Sequence, residues 1–192
     1  EQNGLDVIRG DGTDDLLVTS AFSSDLVRSV FVVGVSQETP QVDTFACLLC
    51  QADSALGSDG DDAWLFGTTA SGSGGNHDRL RCIIRDSSDT AFVQDFVDTA
   101  FVTDSAFLAS YINNGTGVYR YNGTAKTFGT ATQHITVSKE VGILAQPNTG
   151  SNPANLNFWD GDIAEIIIYN SALSDTDREA VENYLLAKWG IS

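Results

Sequence analysis

Seven residues near the middle of the chain, Arg79-Leu80-Arg81-Cys82-Ile83-Ile84-Arg85, alternate in the way that a β-strand converts into two unlike faces. Arg79, Arg81, Ile83 and Arg85 share one face and the opposite face is apolar, so a stripe of guanidinium groups is predicted on this strand. Three of the seven arginines of the chain lie in it. A guanidinium grips a carboxylate or sulfate through two parallel N–H bonds, which suits the acidic groups of a sugar. In a chain this rich in aspartate the same stripe also suits cross-strand ion pairs. Arg120 is expected to join it, because Tyr119 and Tyr121 are same-face neighbours that point inward and leave Arg120 outward. Trp64 offers a ring that can stack on a sugar, while Phe66 on its face favours burial instead. Asn76, with His77 and Asp78, supplies hydrogen-bonding groups just before the arginine strand. Arg79, Arg81, Arg120, Trp64 and Asn76 are the candidate ligand-binding residues.

Acidic clusters form the second constellation. Asp59-Gly60-Asp61-Asp62 is the densest, with Asp53 nearby, and Asp11, Asp14 and Asp15 form another. Their hard oxygens suit calcium, although neither has the twelve-residue spacing of an EF-hand, and in a chain of 20 aspartates such clusters also serve as solvated turns. Asp59, Asp61 and Asp62 are the candidate metal ligands. His77 and His134 lie in polar, loop-like sequence with no serine elbow or cysteine beside them, so no nucleophilic triad is indicated. Gly72 to Gly75 lacks the Lys-Ser/Thr pair of a phosphate loop. Cys47 and Cys50 are three apart in a predicted strand, which would point them to opposite faces, and Cys82 is expected to be a buried free thiol, with a single bridge to one of the other two as the alternative.

The elements that position these residues are mostly strands. The 192 residues carry 10 Lys+Arg against 26 Asp+Glu, a net charge of −16, with 42% hydrophobic residues. This length gives one domain with a substantial core. The charge repels phosphate backbones and anionic lipid, which disfavours nucleic-acid and membrane-surface roles, and no apolar run is long enough to span a bilayer. Short period-two segments are predicted as strands over 5–8, 16–18, 29–36, 45–51, 63–68, 79–86, 106–112, 117–121, 141–144 and 162–169. Long loops are expected over 51–62, 69–78, 87–104 and 146–157. The runs 29–35 and 163–169 are the most continuously apolar of the chain, as expected of central strands covered on both sides. Asn122-Gly123 marks a tight hairpin turn, which outweighs the reading of Asn122 and Asn114 as glycosylation sequons. A helix is predicted between the cap Ser174 and Gly190, with Val181, Tyr184, Leu185 and Lys188 on one face and Trp189 as an anchor. The start at Glu1-Gln2-Asn3 is that expected of a piece of a longer chain.

Two stretches resemble the concanavalin A-like, laminin G-like lectin domains. Asn3-Gly4-Leu5-Asp6-Val7-Ile8-Arg9-Gly10-Asp11-Gly12-Thr13-Asp14-Asp15-Leu16 is similar to the early strand pair around an aspartate-glycine turn, with Gly10 in place of the usual aromatic. Trp159-Asp160-Gly161-Asp162-Ile163-Ala164-Glu165-Ile166-Ile167-Ile168-Tyr169-Asn170-Ser171-Ala172-Leu173-Ser174, followed by the helix ending Tyr184-Leu185-Leu186-Ala187-Lys188-Trp189-Gly190, is the stronger match. Together they span about a quarter of the chain. The resemblance implies an all-β fold over 1–192: a two-sheet antiparallel jelly-roll sandwich closed by a C-terminal turn and helix over 173–190. It further implies a noncatalytic, glycan-binding or adhesive module of an extracellular or virion-exposed protein, with a glycan or cell-surface polysaccharide as partner and calcium as a possible ion. A structural module binding other subunits of a phage particle or surface assembly is the alternative. A third reading is glycoside hydrolysis, because hydrolases of this fold carry carboxylates on one strand as Asp160-x-Asp162-x-x-Glu165 does, though Asp160 is one methylene shorter than the glutamate nucleophile. Retaining hydrolysis needs two carboxyl groups about 5 Å apart, and without a bulge Glu165 would face away from Asp160 and Asp162.

Overall fold

The computed structural model describes residues 1–37, 46–51, 64–68, 79–85, 91–100, 102, 104–127, 136, 138–147 and 157–192, with residues 79, 91–100 and 126–127 described by their backbone. In chain order the strands are β1 (Ile8–Asp11), β2 (Leu17–Val18), β3 (Phe22–Ser23), β4 (Ser29–Ser36), β5 (Cys47–Gln51), β6 (Trp64–Thr68) and β7 (Arg79–Arg85). They continue as β8 (Ala91–Ala100), β9 (Ala106–Asn113), β10 (Gly117–Tyr121), β11 (Thr124–Thr127), β12 (Ser138–Lys139), β13 (Gly142–Ile143) and β14 (Asp160–Tyr169), followed by the helix α1 (Asp175–Trp189). Among the described residues they build two six-stranded antiparallel sheets. The first has the order β1-β14-β4-β9-β10-β11 and the second β2-β13-β5-β6-β7-β8, with β12 and β3 as a small separate ribbon. This is the expected jelly-roll sandwich with one closing helix.

The core between the sheets follows from alternation. Val30 and Val32 of β4, Trp64 and Phe66 of β6, Leu80, Cys82 and Ile84 of β7, and Tyr119 and Tyr121 of β10 all enter it. Its aromatic rings interlock: Tyr111 stacks on Tyr119 at 4.5 Å, and Phe66 meets Tyr119 edge-on at 4.9 Å. The Tyr119 hydroxyl crosses the core from the first sheet and donates to the carbonyl of Ile83 in the second at 3.1 Å, so the buried phenol is satisfied. The other face of the first sheet is also apolar. Phe31 and Val33 of β4 and Leu108 and Ile112 of β9 pack against Leu185 and Trp189 of α1, which explains the nearly continuous apolar runs.

Three sequence expectations need correction. Residues 87–104 contain a strand, β8, whose backbone pairs along β7, where a long loop was predicted. The interruptions Gln94-Asp95 and Asp98 hide its alternation, and only the neighbouring ladder supplies its hydrogen bonds. Cys47 and Cys50 do not point apart: the register shifts between Cys47 and Leu49, so Leu48 and Leu49 both enter the core and both cysteines join Leu65 and Ile83 on the outer side. The helix buries Arg178, Glu182, Leu185 and Trp189, whereas Tyr184 is 49% exposed. The true stripe contains an ion pair that hydrophobic periodicity passes over. Other expectations hold: Cys82 is a buried thiol outside any disulfide, as Cys47 and Cys50 also are, and Asn122 (φ 45°) and Gly123 (φ 80°) make the β10–β11 turn. Ser174 accepts the Asp177 N–H, and Gly190 (φ 68°) ends the helix.

Gly161 shows how little freedom the start of β14 has. Its φ is +150°, and a Cβ there would lie 2.1 Å from the Val35 carbonyl oxygen and 2.6 Å from the Trp159 indole nitrogen. Gly161→Ala is therefore expected to lower the unfolding free energy by about 3 kcal/mol, measured as a reduced urea midpoint with an unchanged slope.

Candidate functional site

The arginine strand is real, but the constellation around it is smaller than the sequence predicts. Because Leu80, Cys82 and Ile84 enter the core, Arg81, Ile83 and Arg85 leave β7 on the outer face of the second sheet. Arg81 is half-buried and Arg85 buried, and both interact with neighbouring groups. The backbone register sets Asp95 of β8 opposite Arg81, and a shift separates Arg79 from Arg81 along the same ladder.

Arg120 does not join this stripe. Tyr119 and Tyr121 do point inward, but β10 belongs to the first sheet and faces β7 across the core. A side chain that leaves β10 outward therefore points away from β7, and Arg120 emerges beside α1 on the far side of the sandwich. Trp64 is likewise removed from the list of ligand contacts. It is 1% exposed, its indole N–H donates to Gln51 Oε1 at 3.2 Å, and its ring meets Phe66 edge-on. Burying a large aromatic in the core outweighs leaving it for a ligand. Asn76, His77, Asp78 and His134 lie outside the described residues, as do Asp53, Asp59, Asp61 and Asp62 and the glycines from 72 to 75.

The other aspartate cluster is brought together. Asp11, Asp14 and Asp15 each present a carboxylate oxygen within 4.8 Å of the others, on the turn after β1 where Gly12 has φ +72°. Two of these carboxylates also brace the turn: Asp11 Oδ1 accepts the Thr13 N–H at 2.9 Å and Asp15 Oδ2 accepts the Asp11 N–H at 3.0 Å. In donor type the trio fits a hard cation.

Two of the three carboxylates of β14, Asp162 and Glu165, are committed to structure. A bulge between Ile163 and Glu165 brings Glu165 to the side of α1. Asp162, nearly fully buried, receives two parallel bonds from its cross-strand partner Arg9, Nε at 2.7 Å and Nη2 at 2.8 Å. Glu165 Oε2 accepts from Lys188 Nζ at 2.9 Å and from the Trp189 indole N–H at 2.7 Å, and Oε1 accepts from the Tyr184 hydroxyl at 3.3 Å. Burial alone would raise the Glu165 carboxyl, but the bonds from Lys188 and Trp189 outweigh it and hold it below the ordinary carboxylate range. A general acid would need the opposite shift, whereas these three donors hold the Glu165 carboxylate against α1.

The sequence reading missed the group at Arg178. Its guanidinium bonds Glu182 and pairs with Glu179 at 2.8 Å and Asp175 at 3.4 Å, and the Ser110 hydroxyl donates to Glu182 Oε1 at 2.8 Å. The spacing of Arg178 and Glu182, i and i+4 on a helix, is the signal that could have found it. For Glu165, whose folded pKa lies below its unfolded value, stabilisation is full above the unfolded carboxylate pKa of about 4.3 and is lost as pH falls through the lower folded value. Glu165→Gln is expected to lower Tm at pH 7, with the gap to the wild type closing below about pH 4, as thermal melts between pH 3 and 8 would register.

No protein-family profile and no curated protein matches this chain. Solved structures do match in fold. A native heptameric SAP-like pentraxin from Limulus polyphemus aligns with a TM-score of 0.63 at 13% identity, over 91% of this chain and 80% of that one. The CBM40 of the Ruminococcus gnavus IT-sialidase aligns with a TM-score of 0.60 at 13% identity, over 86% of this chain and 98% of that one. The ligand-binding domain of botulinum neurotoxin serotype D, in complex with N-acetylneuraminic acid, aligns with a TM-score of 0.58 at 12% identity; the match covers 95% of this chain and 47% of that longer one. All are lectin-like jelly-roll sandwiches, and that fold is what this chain shares with them.

Proposed function

We propose that this domain is a noncatalytic recognition module of the concanavalin A-like, laminin G-like type that binds acidic glycans, carried on an extracellular or virion-exposed protein. The observation that carries the reading is the placement of Arg81, with Arg85 beside it, on the outer face of the second sheet of a domain whose net charge is −16. One outer face of the sandwich is closed by α1, and the guanidinium groups of β7 belong to the other. The fold likeness supports it: one similar domain is a carbohydrate-binding module of a sialidase, and another was solved with N-acetylneuraminic acid, whose carboxylate is the group an arginine fork takes. Fold likeness alone does not assign a ligand, so the arginines carry the chemical part of the claim.

A second reading, a module that binds protein subunits of an assembly, draws on a different observation. The edge strands β1 and β2 stand at the same end of the two sheets, opposite the β8–β11 end, and Ile8, Leu17 and Val18 are about half exposed there. Bare apolar edges are where sandwiches pair with partners.

A glycan array probed with the folded domain, once with calcium and once with a chelator, is expected to give saturable binding to acidic glycans, and Arg81→Ala is expected to weaken it at least about tenfold, the loss of one charge-assisted pair. Loss of binding under chelation would assign the contact to the aspartate clusters over Arg81. A blank under both conditions would reject the glycan reading in favour of the assembly module.

A further inference from the structure

The chain contains three asparagine-glycine pairs, Asn3-Gly4, Asn114-Gly115 and Asn122-Gly123, and the fold restrains them to different degrees. Such a pair can react within itself. The main-chain nitrogen of the glycine, once its proton has passed to water, attacks the asparagine Cγ; the new C–N bond closes a five-membered succinimide, and the side-chain nitrogen leaves as ammonia. Water then opens the ring at one carbonyl or the other. The product is aspartate, or an isoaspartate whose main chain runs through the former side chain. Glycine favours the attack because no Cβ crowds its nitrogen. The reaction consumes only water, and it needs a carboxamide that is free to turn onto the next nitrogen.

Asn122 lacks that freedom. In the turn between β10 and β11 its Oδ1 accepts the Leu108 N–H at 2.7 Å and its own N–H donates to the Leu108 carbonyl at 2.8 Å, so side chain and main chain together extend the pairing with β9. Turning the carboxamide would leave the Leu108 amide without its acceptor. Asn3 is held less firmly. Its Nδ2 donates to the Lys188 carbonyl at 2.8 Å near the end of α1, and reciprocal main-chain bonds between Gln2 and Leu5 close the turn around it. Asn114 has neither restraint. It is exposed in the loop between Asn113 of β9 and Gly117 of β10, which pair with each other, and its side chain makes no hydrogen bond among the described residues. Gly115 (φ +101°) is exposed too, and a Cβ built there would meet nothing within 4 Å, so the attacking nitrogen and the ring that forms on it have open space. The Gly115 N–H leans on Asn113 Oδ1 at 3.3 Å, longer than the usual range of such a bond, and has to give up that contact to react.

We propose that Asn114 is a site of self-modification, converting through a succinimide to aspartate and isoaspartate in the folded domain ahead of Asn3 and Asn122. Each event adds one negative charge to a chain already at −16 and, in the isoaspartate form, lengthens the main chain of the β9–β10 loop by one methylene. The loop ends at the Asn113–Gly117 pair, so the ladder from there inward is kept. None of this depends on what the domain binds.

The test is to incubate the purified domain at neutral and at mildly alkaline pH, and to follow each pair by peptide mapping with mass spectrometry and by an isoaspartate-specific methyl-transfer assay. The same chain in urea is the reference, where the three pairs are expected to react within a few-fold of one another. In the folded domain Asn122 is expected to react at least about tenfold more slowly than Asn114, the rate equivalent of one hydrogen bond kept, with Asn3 between them. The product at 114 should include isoaspartate as well as aspartate, and its rate should rise with pH because the attacking nitrogen has to lose its proton. Asn114→Gln, a change on an exposed loop, should remove the leading acidic species in a charge-based separation. Equal rates at 114 and 122 in the folded domain, a faster reaction at Asn3, or no reaction at 114 where the chain in urea reacts would overturn the proposal. So would aspartate alone at 114, or an acidic species that persists unchanged in Asn114→Gln.

Discussion

The first sheet has to be buried on both faces, and much of the described structure follows from that. β4 and β14 carry apolar side chains on both sides, so one set fills the space between the sheets and the other needs a cover. α1 is that cover. Fully burying a residue such as Leu185 contributes about 1.5–3 kcal/mol and Trp189 brings still more area, whereas an exposed ion pair contributes roughly 0–1 kcal/mol. The helix is therefore held by its apolar contacts, and its polar contacts fix where along the sheet it docks.

Those polar contacts lie at both ends of the helix. Near the C-terminal end, Lys188 and Trp189 converge on Glu165, which the bulge in β14 has turned toward them. At the N-terminal end, the buried Arg178–Glu182 pair is tied to Ser110 of β9. A buried pair is weak as a source of stability, but breaking it would leave a lone charge, so it penalises other registers of the helix on the sheet. The same economy consumes two of the three carboxylates of β14. Asp162 is neutralised by Arg9 and Glu165 by Lys188, and what looks like paired acid/base machinery along one strand becomes the fastening between an edge strand, a central strand and a helix.

The two outer faces consequently differ in chemistry. One carries a helix with Arg120 at its margin, and the other carries Arg81 and Arg85 above a separate apolar cluster of Cys47, Cys50, Leu65 and Ile83. Arginines are scarce in this acidic chain, and the fold divides them between surfaces that cannot act on one ligand group together.

The sequence by itself determined the sandwich, the doubly buried strands at 29–36 and 162–169, the Asn122-Gly123 turn and the capped helix, because period-two alternation, turn chemistry and capping are local properties. It also determined that Arg81 leaves β7 on the side away from the core, since that needs only alternation around Leu80 and Cys82. It did not determine the strand at 91–100, whose alternation is broken by polar residues and whose hydrogen bonds come from β7. Nor could it place Cys47 beside Cys50 or Glu165 beneath α1, because one extra residue in a bulge reverses every face that follows it and leaves no local mark. Whether Arg120 stood with Arg81 was a question of which sheet each strand joined. That is decided by pairing between residues far apart in the chain, and only the tertiary structure, setting β10 and β7 on opposite sides of one core, answered it.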